Sequence, residues 1–307
     1  AQLLLEATTL APADGELALA LERAARAAND ETRLATALEH VAEHPSLPAG
    51  ERARALRERV ARRRSPERDP VDDPELVALH ERLLALDGDD VPSLLVIGTM
   101  ALRAGDEVRA QPLLARTLER LPVGDPRRIE PCVTLARLEL AHGNPAAARE
   151  RLTSVLGQRG VPREAYELLA EAARSLGDAT TRLRALRGLI AHAKDGPVRL
   201  HAELELARQL GEIGRSREGL AHAAAATRGL PRGSDEHVDA ARTWLALAVT
   251  VDDPRQEAAA RLELRQTLGA ELSAKELRAE ALLLAERLED PTGARQVIEA
   301  GLLTRPA

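Results

Sequence analysis

One short segment of the chain carries the residue types of a metal-dependent hydrolase. His40, Glu43 and His44 read H-x-x-E-H, an inverted zinc motif that places two imidazoles one helical turn apart with a carboxylate between them. On a helix, the histidines could hold zinc and the carboxylate could act as a general base. Alternatively, His44 is simply favoured at the negative end of a helix that stops before Pro45. We favour the second interpretation because the sequence around the motif is repetitive and helical.

Other catalytic patterns are missing from the sequence. Neither Lys194 nor Lys275 follows a glycine, so no phosphate-binding loop ends in Gly-Lys-Ser or Gly-Lys-Thr. The single cysteine, Cys132, cannot form an internal disulfide or a cysteine-based zinc site, and its apolar setting predicts a small core residue. We therefore predict that this chain is not an enzyme and has no catalytic residue, metal or cofactor.

The elements that position these residues follow a repeat of about 37 residues. Each repeat contains a two-residue turn made of Gly, Asp, Asn or Glu in most cases. Gly ends a helix well, Asp or Asn caps the next helix, and Pro fits the first position of that helix. The turn pairs are Asn29-Asp30, Asp72-Asp73, Gly105-Asp106, Gly143-Asn144, Gly177-Asp178, Gly214-Arg215, Asp252-Asp253 and Glu289-Asp290. This pattern predicts antiparallel helical hairpins that stack on one another.

The composition favours the same all-α architecture. Ala, Leu, Arg and Glu are abundant, whereas the chain has one Tyr, one Trp and no Phe, so the residues that favour strands are scarce. The predicted hairpins are 16–28/31–44, 50–64/73–87, 92–104/107–121, 128–142/145–158, 162–176/179–194, 197–213/216–230, 234–251/254–268 and 272–288/291–304.

The repeat that begins at Leu94 resembles the tetratricopeptide repeat. Its matching residues are Leu94, Ile97, Gly98 and Ala101 before the Gly105-Asp106 turn, and Ala110, Leu114 and Pro122 after it. Other repeats match in part, with Leu or Ala in place of the family's aromatic residues. The resemblance implies a right-handed superhelix of about eight antiparallel helical hairpins, with small residues where the paired helices cross.

The repeat pattern also predicts the domain organisation. We expect a single solenoid over residues 1–307, in which residues 1–12 are the tail of a truncated repeat and residues 65–72 form an irregular turn. Since the pattern begins in mid-repeat and lacks a polar capping helix, we expect the chain to be one region of a longer protein.

The resemblance implies that the first helix of each hairpin lines a concave face that receives a partner segment. The charged residues that project toward this groove are Arg103, Glu130, Arg137, Glu164, Glu167, Glu171, Arg174, His201, Arg208, Asp239, Arg242, Glu276 and Glu280. Glu164, Glu167 and Glu171 form one acidic stripe, which would select a basic peptide. The alternative is that acidic residues such as Glu130 and Glu164 simply favour the first turn of a helix.

A second charged feature is the arginine-rich segment from Arg52 to Arg68. Between Glu51 and Asp69, eight arginines face four carboxylates, which could attract an acidic protein or a nucleic-acid backbone. No aromatic residue lies among these arginines, and the acidic residues have the spacing of intrahelical pairs, so a solvated helix is the favoured interpretation.

Three functions remain open at this point. The favoured one is a non-catalytic scaffold that binds a protein or peptide, with neither nucleic acid nor a membrane as its partner, and a cytoplasmic location is slightly favoured over others. The second is a structural spacer that self-associates through uncapped ends. The third is an enzyme, either through a metal site at His40, Glu43 and His44 or through a domain outside this chain.

Overall fold

The computed structural model of the protein describes residues 14–67, 69–193 and 196–304, and in these ranges it contains sixteen α-helices and no strand. The predicted tail at residues 1–12 lies outside the described residues. The helices are α1 (Gly15–Ala27), α2 (Glu31–Glu43), α3 (Ala49–Arg63), α4 (Pro74–Leu86), α5 (Val91–Arg103), α6 (Glu107–Arg120), α7 (Ile129–Ala141), α8 (Pro145–Thr153), α9 (Arg163–Leu176), α10 (Ala179–His192), α11 (Pro197–Glu212), α12 (Ser216–Gly229), α13 (Asp235–Val251), α14 (Pro254–Leu268), α15 (Ala274–Leu282) and α16 (Pro291–Thr304).

Consecutive helices form the predicted hairpins, and each hairpin packs against the next within its part of the chain. For example, α5 packs on α6, α11 on α12, and α13 on both helices of the α11/α12 hairpin. The all-α prediction and the eight hairpins are therefore confirmed.

The described residues divide into two compact units, with the division between Leu135 and Ala136 inside α7. The core of the first unit includes Leu38, Val41, Leu56 and Leu83, all nearly inaccessible to solvent. The second unit has several smaller clusters, one of which surrounds Trp244 between α11, α12, α13 and α14. Each unit is thus held together by local contacts between neighbouring helices, as expected of a repeat array.

One backbone turn recurs at seven of the eight hairpins. The residue before the capping position has a positive φ at Asn29, Gly105, Gly143, Gly177, Gly214, Asp252 and Glu289. In most of these turns, the next N–H bonds to the carbonyl five residues back, as from Asp106 to Ala101 (2.8 Å) and from Asp178 to Ala173 (2.9 Å). This is the Schellman ending of a helix, and it satisfies carbonyls that the helix leaves unpaired.

The residue after the left-handed position usually caps the next helix. The carboxylates of Asp106 and Asp178 each accept the N–H three residues on, at 3.0 Å, and Asn144 plays the same part for α8. Arg215 is the exception, because its side chain provides no cap to α12. Seven hairpins therefore reverse direction within two or three residues and keep their helices antiparallel.

Small residues lie where the helices of a hairpin cross, as the resemblance implied. A Cβ atom at Gly188 of α10 would lie 2.2 Å from Cε1 of Tyr166 on α9, so the only tyrosine packs directly on the backbone of α10. At Gly98 of α5, a Cβ would lie 3.0 Å from Cδ2 of Leu114. Glycine at these two crossings lets a large apolar side chain approach the opposite backbone.

Three segments differ from regular hairpins. Helix α8 ends at Thr153, although the sequence predicted it to continue to residue 158; Gly157 takes a left-handed φ of 89° and turns the chain early. Between α3 and α4, the region of the predicted irregular turn contains a 3₁₀ turn at Pro70–Asp72. After α15, residues Leu283–Arg287 form a π-helical turn, in which one additional residue is accommodated before Glu289.

None of the helices in the described ranges has both the length and the apolarity required to cross a bilayer.

Replacing Glu289 by glycine should stabilise the protein. Glu289 has a φ of 54°, a conformation that strains a residue with a Cβ atom, and glycine removes this strain at some cost in unfolded-state entropy. We expect a net gain of about 0.5–1 kcal/mol in the free energy of unfolding, measured by calorimetry. Gly177→Ala is the matched control, since it should lower stability at an equivalent turn; equal effects of the two substitutions would contradict the argument.

Candidate partner-binding surface

The sequence motif for a zinc site does not assemble into one. His44 lies beyond the end of α2 with an extended backbone, is 8% exposed, and its Nδ1 lies 3.0 Å from the hydroxyl of Ser46. Glu43 points to Arg82, with 3.7 Å between carboxylate and guanidinium. Among the described residues, no group of three or more His, Cys, Asp or Glu side chains is arranged to hold a metal ion.

A buried Asp–Ser–His cluster in the first unit has catalytic residue types in a structural arrangement. The hydroxyl of Ser93 donates to Asp90 at 2.6 Å, and Nδ1 of His80 lies 2.8 Å from the same hydroxyl. Burial lowers the pKa of His80. Ser93 is 0% exposed, and its proton already points to a carboxylate, so it cannot act as a nucleophile at a surface site. Cys132 is likewise fully buried, as predicted for a core residue.

Most arginines of α3 pair with carboxylates, which come mainly from outside this helix. Arg54 forms a two-pronged pair with Glu22 of α1, at 2.9 and 2.7 Å, and Arg57 bonds to Asp90 at 2.9 Å. The hydrogen bond from Arg54 is the largest contribution to the lowered pKa of Glu22. Further ion pairs are Arg59–Glu39, Arg62–Glu31, Arg62–Glu58, Arg63–Asp73 and Arg63–Glu75.

Through these ion pairs, the arginines of α3 connect this helix to its neighbours. Among the arginines of α3, only Arg52 has no carboxylate partner within the described ranges. It donates instead to the carbonyl of Ala42 at 3.0 Å. Guanidinium groups that are already bonded to carboxylates offer little net charge to a phosphate backbone.

On the candidate groove of the second unit, charged residues link the first helices of successive hairpins. Arg137 of α7 bonds to Glu164 of α9 at 2.5 and 2.9 Å. Arg208 of α11 pairs with Asp239 of α13. His201 and Glu236 make a parallel contact between α11 and α13, at 2.7 Å. Four of the predicted residues are thus paired with one another, Arg137 with Glu164 and Arg208 with Asp239.

Other predicted groove residues differ in their surroundings. Arg103, in the first unit, bonds to Asp72 at 2.9 Å and pairs with Asp69. Glu130 is exposed at the start of α7. Arg242 is exposed on α13 and adds to the lowering of the pKa of Glu276, for which hydrogen bonds from Ser273 are the main cause.

The predicted acidic stripe on α9 is largely balanced by arginines. Glu164 is paired with Arg137, and Glu167 with Arg163 at 3.0 Å. Glu171 and Arg174 are exposed, and within the described part of the chain neither side chain forms an ion pair. The surface therefore presents one unpaired carboxylate and one unpaired guanidinium a single turn apart, in place of three free carboxylates.

Glu280 does not face the groove, so the prediction that its side chain projects there was wrong. It is 3% exposed, and its carboxylate lies 3.1 Å from Nε of Arg265 on α14. Burial raises the pKa of Glu280 despite this contact. The side chain faces the preceding hairpin because α15 packs beside α14 at this point.

Sequence reasoning missed the ion pairs themselves, although they have a sequence signal. Arg54–Glu22, Arg57–Asp90, Arg62–Glu31 and Arg208–Asp239 join residues 32, 33, 31 and 31 positions apart. Opposite charges slightly less than one repeat apart therefore mark neighbouring helices of successive hairpins.

No family model matches the sequence, and no curated protein matches it. Among solved structures, the chain is similar to MamA (17% identity, 59% of this chain and 93% of that chain, TM-score 0.42). It is also similar to the C-terminal part of a TPR repeat-containing protein from Cytophaga hutchinsonii (10% identity, 83% and 96%, TM-score 0.42) and to PilW, a type IV pilus biogenesis factor (14%, 74% and 96%, TM-score 0.35). The predicted all-α fold of antiparallel helical hairpins, with small residues at two of the crossings, is confirmed by the structure itself.

The contact between His201 and Glu236 predicts a pH dependence. The hydrogen bond that His201 donates to the carboxylate of Glu236 raises the pKa of His201 above its usual value near 6.5. Because the folded-state pKa is raised, the stabilisation is fully present below pH 6.5 and is lost as the pH rises through the folded-state pKa. Histidine NMR titration should give a pKa above 6.5 in the wild type and a lower one in Glu236→Gln.

Asp235→Asn is the matched control, since Asp235 is an exposed carboxylate in the same first turn of α13. It should leave the pKa of His201 closer to the wild-type value. If both substitutions shift the pKa equally, the general field of the helix end, and not this hydrogen bond, is the cause.

Proposed function

We propose that the chain is a non-catalytic scaffold that binds a protein partner on the surface formed by the first helices α9, α11 and α13. Helix α13 packs against α11, and α9 is the first helix of the hairpin before them; in the proposed arrangement, their polar side chains share one face. A repeat array of this kind offers an extended surface with many separate contact points.

One observation carries the proposal: most charged residues of this face are paired with one another, whereas Glu171 and Arg174 on α9 are exposed and unpaired. The paired residues hold the helices in register, so they contribute to the shape of the surface. Glu171 and Arg174 can form new charge-assisted hydrogen bonds without breaking an existing pair.

The partner that fits this surface carries both a basic and an acidic group. The unpaired carboxylate of Glu171 suits an arginine or lysine, and the unpaired guanidinium of Arg174 suits a carboxylate in a two-pronged geometry. A purely basic peptide fits less well, because Glu164 and Glu167 already have arginine partners. Tyr166 of α9 and Trp244 of α13 are buried, so recognition on the exposed face depends on arginine and carboxylate contacts and is sensitive to salt.

Reversing both unpaired charges tests the proposal. Affinity capture with the wild type and with Glu171→Arg/Arg174→Glu, followed by quantitative mass spectrometry, should show at least one protein whose recovery falls about tenfold or more with the variant, since each lost charged hydrogen bond weakens binding by about 1.5–3 kcal/mol. The captured protein should also dissociate as salt is raised.

The matched control is Glu150→Arg/Arg184→Glu. Glu150 and Arg184 are exposed and lie on α8 and α10, the second helices of two neighbouring hairpins. This double variant makes the same two charge changes away from the proposed face and should retain every partner. Equal losses of captured protein with the two double variants would count against the surface on α9. Recovery of every captured protein with both double variants would exclude this surface as the binding site.

A further inference from the structure

An apolar groove lies between α15 and α16, outside the charged face described above. It has a volume of about 520 Å³, and Leu277, Ala281, Val297, Ile298 and Leu302 are among its lining residues. Arg278 is the only charged side chain among the described residues that line it. The groove is therefore chemically unlike the polar surface of α9, α11 and α13.

The exposure of large apolar residues in this groove contrasts with the same positions in an inner hairpin. Ile298 and Leu302 follow the left-handed turn residue Glu289 by 9 and 13 positions, as Ala223 and Thr227 follow Gly214. Ile298 and Leu302 are 53% and 69% exposed, whereas Ala223 and Thr227 are 0% and 1% exposed. Larger apolar side chains thus lie at solvent-exposed positions that an inner hairpin keeps covered.

In the α11/α12 hairpin, the covering element is a helix. Helix α13 packs against both α11 and α12, and its Trp244, Leu247 and Ala248 are buried in one cluster with Ala207 and Ala223. The repeat itself therefore shows which kind of element fills this groove: an amphipathic helix with small and large apolar residues at helical spacing.

The charges beside the groove indicate one further property of such a helix. In the inner hairpin, His201 is the fifth residue of α11 and contacts Glu236 in the first turn of α13. Arg278 is the fifth residue of α15, and Lys275 lies one turn before it. Both are exposed, and neither forms an ion pair with another described residue. Two unpaired cations at this place suit a carboxylate in the first turn of the incoming helix.

We propose that the groove between α15 and α16 binds an amphipathic helix of a partner protein, whose apolar stripe contacts Ile298 and Leu302 and whose acidic first turn contacts Lys275 and Arg278. This is helix-in-groove recognition, in which the apolar stripe provides most of the affinity and the charges set the orientation. The site is separate from the charged face on α9, so each can be tested without the other.

The test uses a peptide with the sequence of residues 234–252, acetylated, amidated and labelled with fluorescein. This segment contains α13 with its acidic first turn, the helix that covers the corresponding groove of the α11/α12 hairpin. Fluorescence polarisation with the full chain should show saturable binding. Ile298→Asn/Leu302→Asn should raise Kd by about tenfold or more, because it removes both exposed apolar contacts.

Val249→Asn/Leu262→Asn is the matched control for apolar exposure. Val249 and Leu262 are 51% and 40% exposed and do not line the groove, so this variant should bind the peptide with the wild-type Kd. Circular dichroism of all variants confirms that their helices are retained. Identical Kd values for the two double variants would overturn the proposal, as would the absence of binding to the wild type.

The charge part of the proposal is tested by exchange. Lys275→Glu/Arg278→Glu should weaken binding of the acidic peptide. It should strengthen binding of a second peptide in which Asp235, Glu236 and Asp239 are replaced by lysine. No change with either peptide would overturn the acidic orientation of the partner. Self-association of the chain that is abolished by Ile298→Asn/Leu302→Asn would identify a second copy as the occupant and overturn the partner helix.

Discussion

The left-handed turn residue is the constraint on which the fold depends. Seven hairpins use it, and in each the following residue starts the next helix, most often with a capping side chain. The turn fixes the rotation between two helices of a pair, and this rotation brings Tyr166 against Gly188 and Leu114 against Gly98. Glycine, which adopts this conformation without a steric cost, serves at four of the seven positions; Asn29, Asp252 and Glu289 adopt it despite their side chains.

Ion pairs connect the helical hairpins that the turns form. Arg54 to Glu22, Arg137 to Glu164 and Arg208 to Asp239 each join one hairpin to the next. An isolated surface pair contributes little, but Glu22 is buried, and arginine binds it through two parallel hydrogen bonds. The arginine-rich composition therefore has a structural use, and the residues that remain unpaired, such as Glu171, Arg174 and Arg278, become the informative ones for function.

Helices and turns were predictable from the sequence because their signals are local. Asp106, Asp178 and Asn144 cap the helices that the spacing assigned to them. The early end of α8 was missed because the sequence does not show that Gly157 adopts a left-handed φ, and the π turn after α15 was missed because one additional residue leaves no mark in composition. The candidate site was harder to predict from the sequence. Its residues were placed on the correct helices, but whether Glu164 is free or Glu280 buried depends on side chains of another hairpin.

The two kinds of connection respond differently to solution conditions. Backbone hydrogen bonds of the turns are neutral and short-ranged, so salt leaves them intact. The exposed pairs between hairpins, such as Arg137–Glu164 and Arg208–Asp239, are screened over a distance of about 8 Å at physiological ionic strength. Within each unit, higher ionic strength therefore weakens the exposed ion pairs between neighbouring hairpins, while the turns inside each hairpin and the buried apolar contacts between hairpins remain.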